Sequence, residues 1–270
     1  MDATDLRSLL HRLAEEYPEG LRDAQHQDVE RIAFHIELVV RRKGTDCALV
    51  DIGGGIGLFT VGCAALGLRS TLVDDFADAI NLDHGETVFD VHRRYGVTVV
   101  AQDAIAGDLH FEPGSIDVVT MFDSMEHWHH SPKKLFRMLA NALRPQGVFI
   151  IGGPNCVNFR KRLSVPFGVG KWSSIRDWYE PEVFRGHVRE PDVEDLLYIA
   201  RDLDLGEIEI LGRNWLGYRS RHRWVRTLTK LADHGLRYIP SLCSDIYLVG
   251  RKGAGAKATA AADGQSDKVA

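Results

Sequence analysis

The sequence predicts a doubly wound α/β fold, a mostly parallel sheet with helices on both faces. Three observations carry that prediction. From residue 47 onward, short apolar runs alternate with stretches of helical periodicity. The runs are nearly continuous in apolar residues, as strands covered on both faces must be. The first run, Cys47-Ala48-Leu49-Val50, leads into a glycine-dense turn, Asp51-Ile52-Gly53-Gly54-Gly55-Ile56-Gly57, and then into a new helical pattern. Glycines there allow positive φ and close approach to a ligand, and the start of the following helix offers free N–H groups.

Two helices precede the sheet, over residues 4–16 and 28–43, separated by Tyr17-Pro18-Glu19-Gly20. In the second, Val29, Ile32, Ala33, Ile36, Val39 and Val40 recur at three- and four-residue steps, and Arg41-Arg42-Lys43 before Gly44 suits a helix C-terminus. Strands are expected at 47–52, 70–75, 97–102, 116–122 and 147–152, with helices at about 57–66, 77–94 and 131–143 between them. Ser131-Pro132 reads as an N-cap followed by a first-turn proline, and Leu135, Phe136, Met138, Leu139 and Leu143 supply the apolar face. After Gly152-Gly153-Pro154-Asn155 the texture becomes irregular and rich in aromatic and basic residues. A helix at about 192–204, a strand at 207–211, a basic helical stretch at 216–236 and a last strand at 245–250 complete the pattern. The expected organisation is N-terminal helices over 1–44, a cofactor-binding core over 45–155, an inserted lid or substrate segment over 156–190 and the rest of the same domain over 191–251. The Gly-, Ala- and Lys-rich tail, 252–270, is too poor in apolar residues to fold.

Composition narrows the function classes. The 270 residues are 44% hydrophobic and 26% charged, with a formal net charge of −5, so nothing global favours nucleic acid or an anionic membrane. Cys47, Cys63, Cys156 and Cys243 form no Cys-x-x-Cys pair and read as small core residues in a reducing compartment. No run approaches the ~20 apolar residues of a membrane span, and the first residues lack a secretory pattern, so a cytoplasmic protein is expected.

The glycine turn departs from the dinucleotide fingerprint Gly-x-Gly-x-x-Gly, because Leu58 stands where the third glycine would fall after Gly53 and Gly55. The turn opens with a carboxylate, Asp51, which suits an ammonium or sulfonium ligand better than a pyrophosphate. The residues therefore favour S-adenosylmethionine over a nicotinamide cofactor.

Here residues 28–250 resemble the class I S-adenosylmethionine-dependent methyltransferases through several motifs in order. Asp74 ends the second strand 23 residues after Asp51, Gln102-Asp103-Ala104 ends the third, and Ser115-Ile116-Asp117-Val118-Val119 and Leu143-Arg144-Pro145-Gln146-Gly147 match the fourth-strand and pre-fifth-strand motifs, with Gln146 in place of a glycine. The resemblance implies a Rossmann-like, seven-stranded sheet with the last strand antiparallel. It also implies a cofactor site of Asp51, Gly53, Gly55, Gly57, Asp74, Asp75, Asp103, Ala104 and Phe122, with Asp74 on the ribose hydroxyls and Asp103 near the adenine amine.

At the end of the fourth strand lies Met121-Phe122-Asp123-Ser124-Met125-Glu126-His127. In a helical turn Asp123, Glu126 and His127 share one face. Two carboxylates and an imidazole there make a candidate divalent-metal site, oxygen-rich enough to suit Mg²⁺ or Mn²⁺. The spacing resembles the ubiquinone-pathway O-methyltransferases and the small-RNA 3′-terminal 2′-O-methyltransferases, in which a second histidine about 60 residues on completes a metal site; His187 is the matching residue. The metal set is thus Asp123, Glu126, His127 and His187. His127 and His187 are also the candidate catalytic residues, a histidine serving to take the proton of a hydroxyl acceptor. The alternative for His127 is a packing role without metal.

Residues 156–190 hold Phe159, Trp172, Trp178, Tyr179 and Phe184 beside Arg160, Lys161, Arg162, Lys171 and Arg176. They suit stacking on a sugar or another ring, or simply a lid over the sheet. Pro154-Asn155, the arginine-rich start and Phe184-Arg185-Gly186-His187-Val188-Arg189-Glu190 resemble bacterial methyltransferases of saccharide and glycolipid synthesis. The basic stretch Arg213, Arg219, Arg221, His222, Arg223, Arg226 and Lys230 suits RNA phosphates, a phosphorylated lipid-linked sugar, peripheral contact with an anionic membrane, or a solvated helix face. The leading expectation is an O-methyltransferase acting on a saccharide hydroxyl. A quinone or phenolic acceptor, an RNA 2′-hydroxyl and a non-catalytic cofactor-binding protein are the alternatives; overall acidity weighs against nucleic acid.

Overall fold

In the computed structural model, residues 3–77, 84, 87–170, 174–215, 218 and 222–254 are described. Helix α1 (Ala3–Glu15) buries Leu6, Leu10 and Leu13 against α2 (Glu19–Lys43). Helix α2 carries the expected stripe but begins at Glu19 instead of 28, because Leu21 and Gln25 extend the buried face one turn at a time through a largely polar segment. It stops at Gly44, whose φ of 73° lets its N–H return to Val40 O at 2.8 Å.

The strands are β1 (Ala48–Ile52), β2 (Arg69–Asp74), β3 (Thr98–Ala101), β4 (Ile116–Phe122), β5 (Leu143–Pro154), β6 (Leu205–Arg213) and β7 (Asp245–Lys252). Helices α3 (Leu58–Ala65), α4 (Thr87–Arg94), α5 (Lys133–Ala142), α6 (Phe159–Ser164), α7 (Ile175–Tyr179), α8 (Val193–Asp202) and α9 (Arg223–Leu236) lie between them. The seven strands stand in the order β3-β2-β1-β4-β5-β7-β6, with β7 antiparallel to both β5 and β6. This is the doubly wound, mostly parallel sheet expected, its last strand reversed. One core cluster joins α1–α4 to one face of the sheet, through Leu10, Ile36 and Val88 among others. A second, around Leu139, Phe149 and Leu196, joins α5 and α8 to the other face. Strand order reverses between β1 and β4, so the crevice at their carboxyl ends is the switch point where such sheets bind ligands.

Local chemistry explains the boundary differences. Pro132, not Ser131, takes the N-cap of α5, and the Ser131 hydroxyl accepts only a 3.4 Å bond from Lys133 N–H. Strand β5 begins four residues before the expected 147, and Gln146 within it has φ 62°. The left-handed conformation there costs a residue with a Cβ about 1–2 kcal/mol, so the missing glycine is felt. Of the helix expected at 77–94, residues 78–83 and 85–86 lie outside the described residues, as do Lys171 and Trp172, Arg219 and Arg221, and most of the tail. Among the described residues no helix is long and apolar enough to cross a membrane.

Candidate active site

The glycine turn is held from three sides. Gly53 N–H donates to Val73 O at 2.7 Å, and φ values of 70° at Gly53 and 56° at Gly55 fold the backbone over the end of β1. A Cβ on Gly53 would meet the Ser124 hydroxyl at 2.0 Å, so only glycine fits where the β1 turn touches the β4 turn. Asp74 accepts from Gly55 N–H at 2.9 Å and from Phe76 N–H at 2.7 Å, which ties the turn to β2. Beneath it the buried Tyr17 of the α1–α2 connection donates to Gly57 O at 3.2 Å.

Asp51 is buried under this turn and accepts from the Thr120 hydroxyl at 2.6 Å. Burial pushes its carboxyl up to about 7, the Thr120 bond acting in the other direction and the charge of Asp74 adding to the rise. Asp103 caps its own turn, accepting from Ile105 N–H at 2.7 Å and Ala106 N–H at 2.9 Å, and Asp75 does the same for Ala77 N–H at 3.0 Å.

A cavity of about 470 Å³ opens above these groups. Gly53, Asp74, Asp75, Asp103 and Ala104 line it on one side; Asp123, Ser124 and His127 line it on the other, and Val183, Phe184 and Arg185 form a rim. Four carboxylates around one cavity repel a pyrophosphate and attract cationic groups and hydroxyl donors. Asp51, Gly55 and Gly57 support the cavity from below without lining it. Phe122, expected at the cofactor, lies elsewhere: its ring stacks on His35 at 3.9 Å in the core on the α2 side. The alternation of a strand explains this, since Phe122 faces α2 while its neighbour Met121 faces α5.

The acid–histidine motif divides in two. Asp123 has φ 51°, which turns it off the face that Glu126 and His127 share, and its carboxylate pairs instead with Arg31 from α2. Glu126 and His127 sit in a 3₁₀ turn (Met125–His127), and His187 comes over from the stretch between α7 and α8, with the two imidazole rings edge to face at 4.9 Å. One ligand atom each from Glu126, His127 and His187 lies within 4.8 Å of the others. His127 Nδ1 is 3.0 Å from Arg185 O, so that nitrogen carries the proton and Nε2 keeps its lone pair. His187 Nδ1 bonds Glu190 at 2.9 Å, and Lys161 pairs with the other side of Glu190. The Glu190 bond raises the His187 imidazole, while the partner bond from His187, supported by Lys161, holds Glu190 down at about 2. Burial, with the charge of Asp123 behind it, pushes Glu126 up to about 8.

Two Nε2 atoms and one carboxylate, each imidazole fixed through its other nitrogen, make a chemically sound donor set for a divalent ion. With Asp123 committed to Arg31 the set is nitrogen-rich, which suits Mn²⁺ or a softer transition ion better than Mg²⁺. Next to it a second cavity of about 550 Å³, lined by His127, Asp177, Pro181, Phe184 and His187, continues the cleft toward α7. Three residues escape a reading of the sequence. Arg31 is one polar residue among many on α2. Ser124 has a buried hydroxyl, without a hydrogen-bond partner among the described residues, on the cavity wall. Glu190 shows its part only once His187 is placed.

A sequence-family model described as a methyltransferase domain matches residues 3–232. No curated protein matches in direct comparison. Among solved structures, phosphoethanolamine N-methyltransferase 2 of Haemonchus contortus, bound to S-adenosylmethionine, is similar at a TM-score of 0.56 and 20% identity over 82% of this chain. The chain spans 52% of that enzyme's length, and 60% in a second structure of it. A methyltransferase of Archaeoglobus fulgidus is similar at a TM-score of 0.53 and 15% identity, covering 83% of this chain and 94% of its own. Geranyl diphosphate C-methyltransferase of Streptomyces coelicolor, bound to Mg²⁺, geranyl diphosphate and S-adenosylhomocysteine, is similar at 0.50 and 18%, covering 84% and 85%.

Proposed function

This chain belongs to the methyltransferase-domain family, and from that premise we propose that it transfers the methyl group of S-adenosylmethionine to a hydroxyl, most naturally that of a saccharide or glycolipid. The observation that supports the hydroxyl is the His127–His187 pair, which puts two imidazoles, each anchored through its Nδ1, beside the acid-lined cavity. S-adenosylmethionine supplies a methyl on a sulfonium, already a good leaving group, so alignment and proton removal are what the protein must add.

The geometry supports the following division of labour. Asp74 faces the cavity with its backbone bonds fixing the carboxylate, as an acceptor for ribose hydroxyls needs. Asp103 and Ala104 stand at the adenine end, and Gly53 with Ser124 forms the floor where the methionine portion would rest. His127 is the group we assign to take the acceptor proton, because its Nδ1 donates to a neutral carbonyl and leaves Nε2 as the ring nitrogen that can accept. His187 is held toward its charged form by Glu190 and stabilises negative charge developing on the acceptor oxygen. Where a divalent ion is bound, Glu126, His127 and His187 would hold it, and it would supply Lewis acidity toward the acceptor oxygen. The aromatic Trp178 and Tyr179, exposed near the second cavity, offer faces on which a sugar ring could stack.

Transfer of labelled methyl to a panel of saccharides, quinols, short RNAs and ethanolamine-type amines, with and without chelator and added Mn²⁺, tests this. Label recovered as an ether on a saccharide supports the reading. Label recovered only on nitrogen, or only on RNA or quinol, would replace the acceptor.

A further inference from the structure

Helix α9 is built the wrong way round for a helix that only covers a domain. Its apolar residues Trp224, Leu228 and Leu231 recur at four- and three-residue steps and are 66%, 56% and 67% exposed, while Asp233 is buried against the protein. After the helix, Tyr238 and Ile239 continue the exposed apolar surface. A second element with the same character lies beside it. On α6 and the turn after it, Phe159, Leu163 and Phe167 point outward, Phe167 at 84% exposure.

Helix α6 is tied to the 3₁₀ turn (Pro240–Leu242) that follows α9. The Arg162 guanidinium donates to Ser241 O at 3.1 Å, and Asn155 at the foot of α6 donates to the same carbonyl at 3.0 Å, which joins α6 to the turn that follows α9. Charge completes the picture. Residues 155–170 hold no acidic residue and three basic ones, of which Lys161 pairs with Glu190, and residues 223–237 hold four against only the buried Asp233, in a chain of net charge −5. Apolar rows flanked by Arg and Lys on an otherwise acidic protein match a surface that offers hydrocarbon beneath negative charge. RNA offers the charge without the hydrocarbon, and a second copy of this chain would set basic residues against basic residues across a two-fold axis.

We propose that α9 and α6 together form a docking face for the surface of an anionic lipid bilayer. Trp224, Leu228, Leu231, Phe159 and Phe167 enter the boundary between headgroups and acyl chains, and Arg160, Arg162, Arg223 and Lys230 lie among the headgroups. The segment that follows α6 in sequence carries Phe184 and His187 at the second cavity, so the docked face lies close in the chain to the acceptor side of the cleft. The inference goes beyond the acceptor reading and does not depend on it.

Sedimentation of the full chain with vesicles tests it. Vesicles of phosphatidylcholine with about 30% phosphatidylglycerol should bind the protein, pure phosphatidylcholine should bind far less, and binding should collapse at about 0.5 M salt. The Trp224→Ser/Leu231→Ser variant should lose at least tenfold in partitioning. Arg160→Gln/Arg223→Gln should lose about fivefold per charge removed at low salt. Both variants should retain wild-type affinity for S-adenosylhomocysteine, which reports an intact fold and keeps this result separate from any failure of the methyl-transfer reading. Equal binding to neutral and anionic vesicles would overturn the proposal. So would no vesicle binding, whether the chain then binds RNA or forms a dimer that Trp224→Ser/Leu231→Ser dissociates.

Discussion

The two sides of the cleft are built by different means. The side we assign to the donor is built on backbone: one turn between β1 and α3, with Asp74 fixing Gly55 and Val73 fixing Gly53 through hydrogen bonds of 2.9 and 2.7 Å. The side we assign to the acceptor is side chains that arrive from far apart, Arg31 from α2, Glu126 and His127 after β4, and His187 with Glu190 from the stretch between α7 and α8. A backbone site tolerates almost no change at its glycines but needs few particular side chains. A side-chain site depends on each partner singly and can lose chemistry while the fold and the donor site stay intact.

That contrast predicts its largest effect at the histidines. His127→Ala should lower kcat by about 10²–10⁴, the range for removing a general base, in steady-state methyl transfer. A fall of less than about threefold would return His127 to a packing role. Gly53→Ala comes next: positive φ costs about 1–2 kcal/mol and the new Cβ collides with the Ser124 hydroxyl, so affinity for S-adenosylhomocysteine should drop tenfold or more. Ser124→Gly in the same chain removes the collision and should recover part of that loss, which calorimetry would read; no recovery would mean that the contact is not the cause.

Glu190→Gln sharpens the comparison from the other side. It removes the charge that raises the His187 imidazole, so kcat should fall about tenfold with the pH profile displaced to lower pH. The smallest effect belongs to Asp51. A carboxyl pushed up to about 7 is largely protonated below neutrality, and a sulfonium ligand favours its ionised form, so binding should strengthen severalfold from about pH 6 to pH 8. Folding stability runs the other way. Because the folded value lies above the unfolded one near 3.9, the contribution of Asp51 to stability is lost as pH rises between the two. Asp51→Asn should flatten both profiles.

The same contrast explains what could be read from the chain. The mostly parallel sheet and the glycine turn were legible because strand periodicity and glycine density are local signals, whereas the seven strands and the reversed last one came with the family resemblance and their order only with the structure. Helix α2 hid its first two turns because Arg22, Asp23, His26 and Gln27 mask a stripe that only tertiary packing completes. Phe122 was misplaced because a strand end gives no sign of which face the last side chain takes. Asp123 was grouped with Glu126 and His127 on helical spacing, and its left-handed φ of 51° broke that geometry. His187 was found by its resemblance-based spacing, whereas Arg31, Ser124 and Glu190 act only through contacts made in three dimensions.

The separation of donor and acceptor sides is the central claim, and calorimetry of S-adenosylhomocysteine on the wild-type chain and on His127→Ala/His187→Ala tests it most directly. The account predicts dissociation constants within about twofold of each other, since neither imidazole belongs to the backbone cradle. A wild-type chain that binds no ligand, or a double variant that loses tenfold or more, would contradict it.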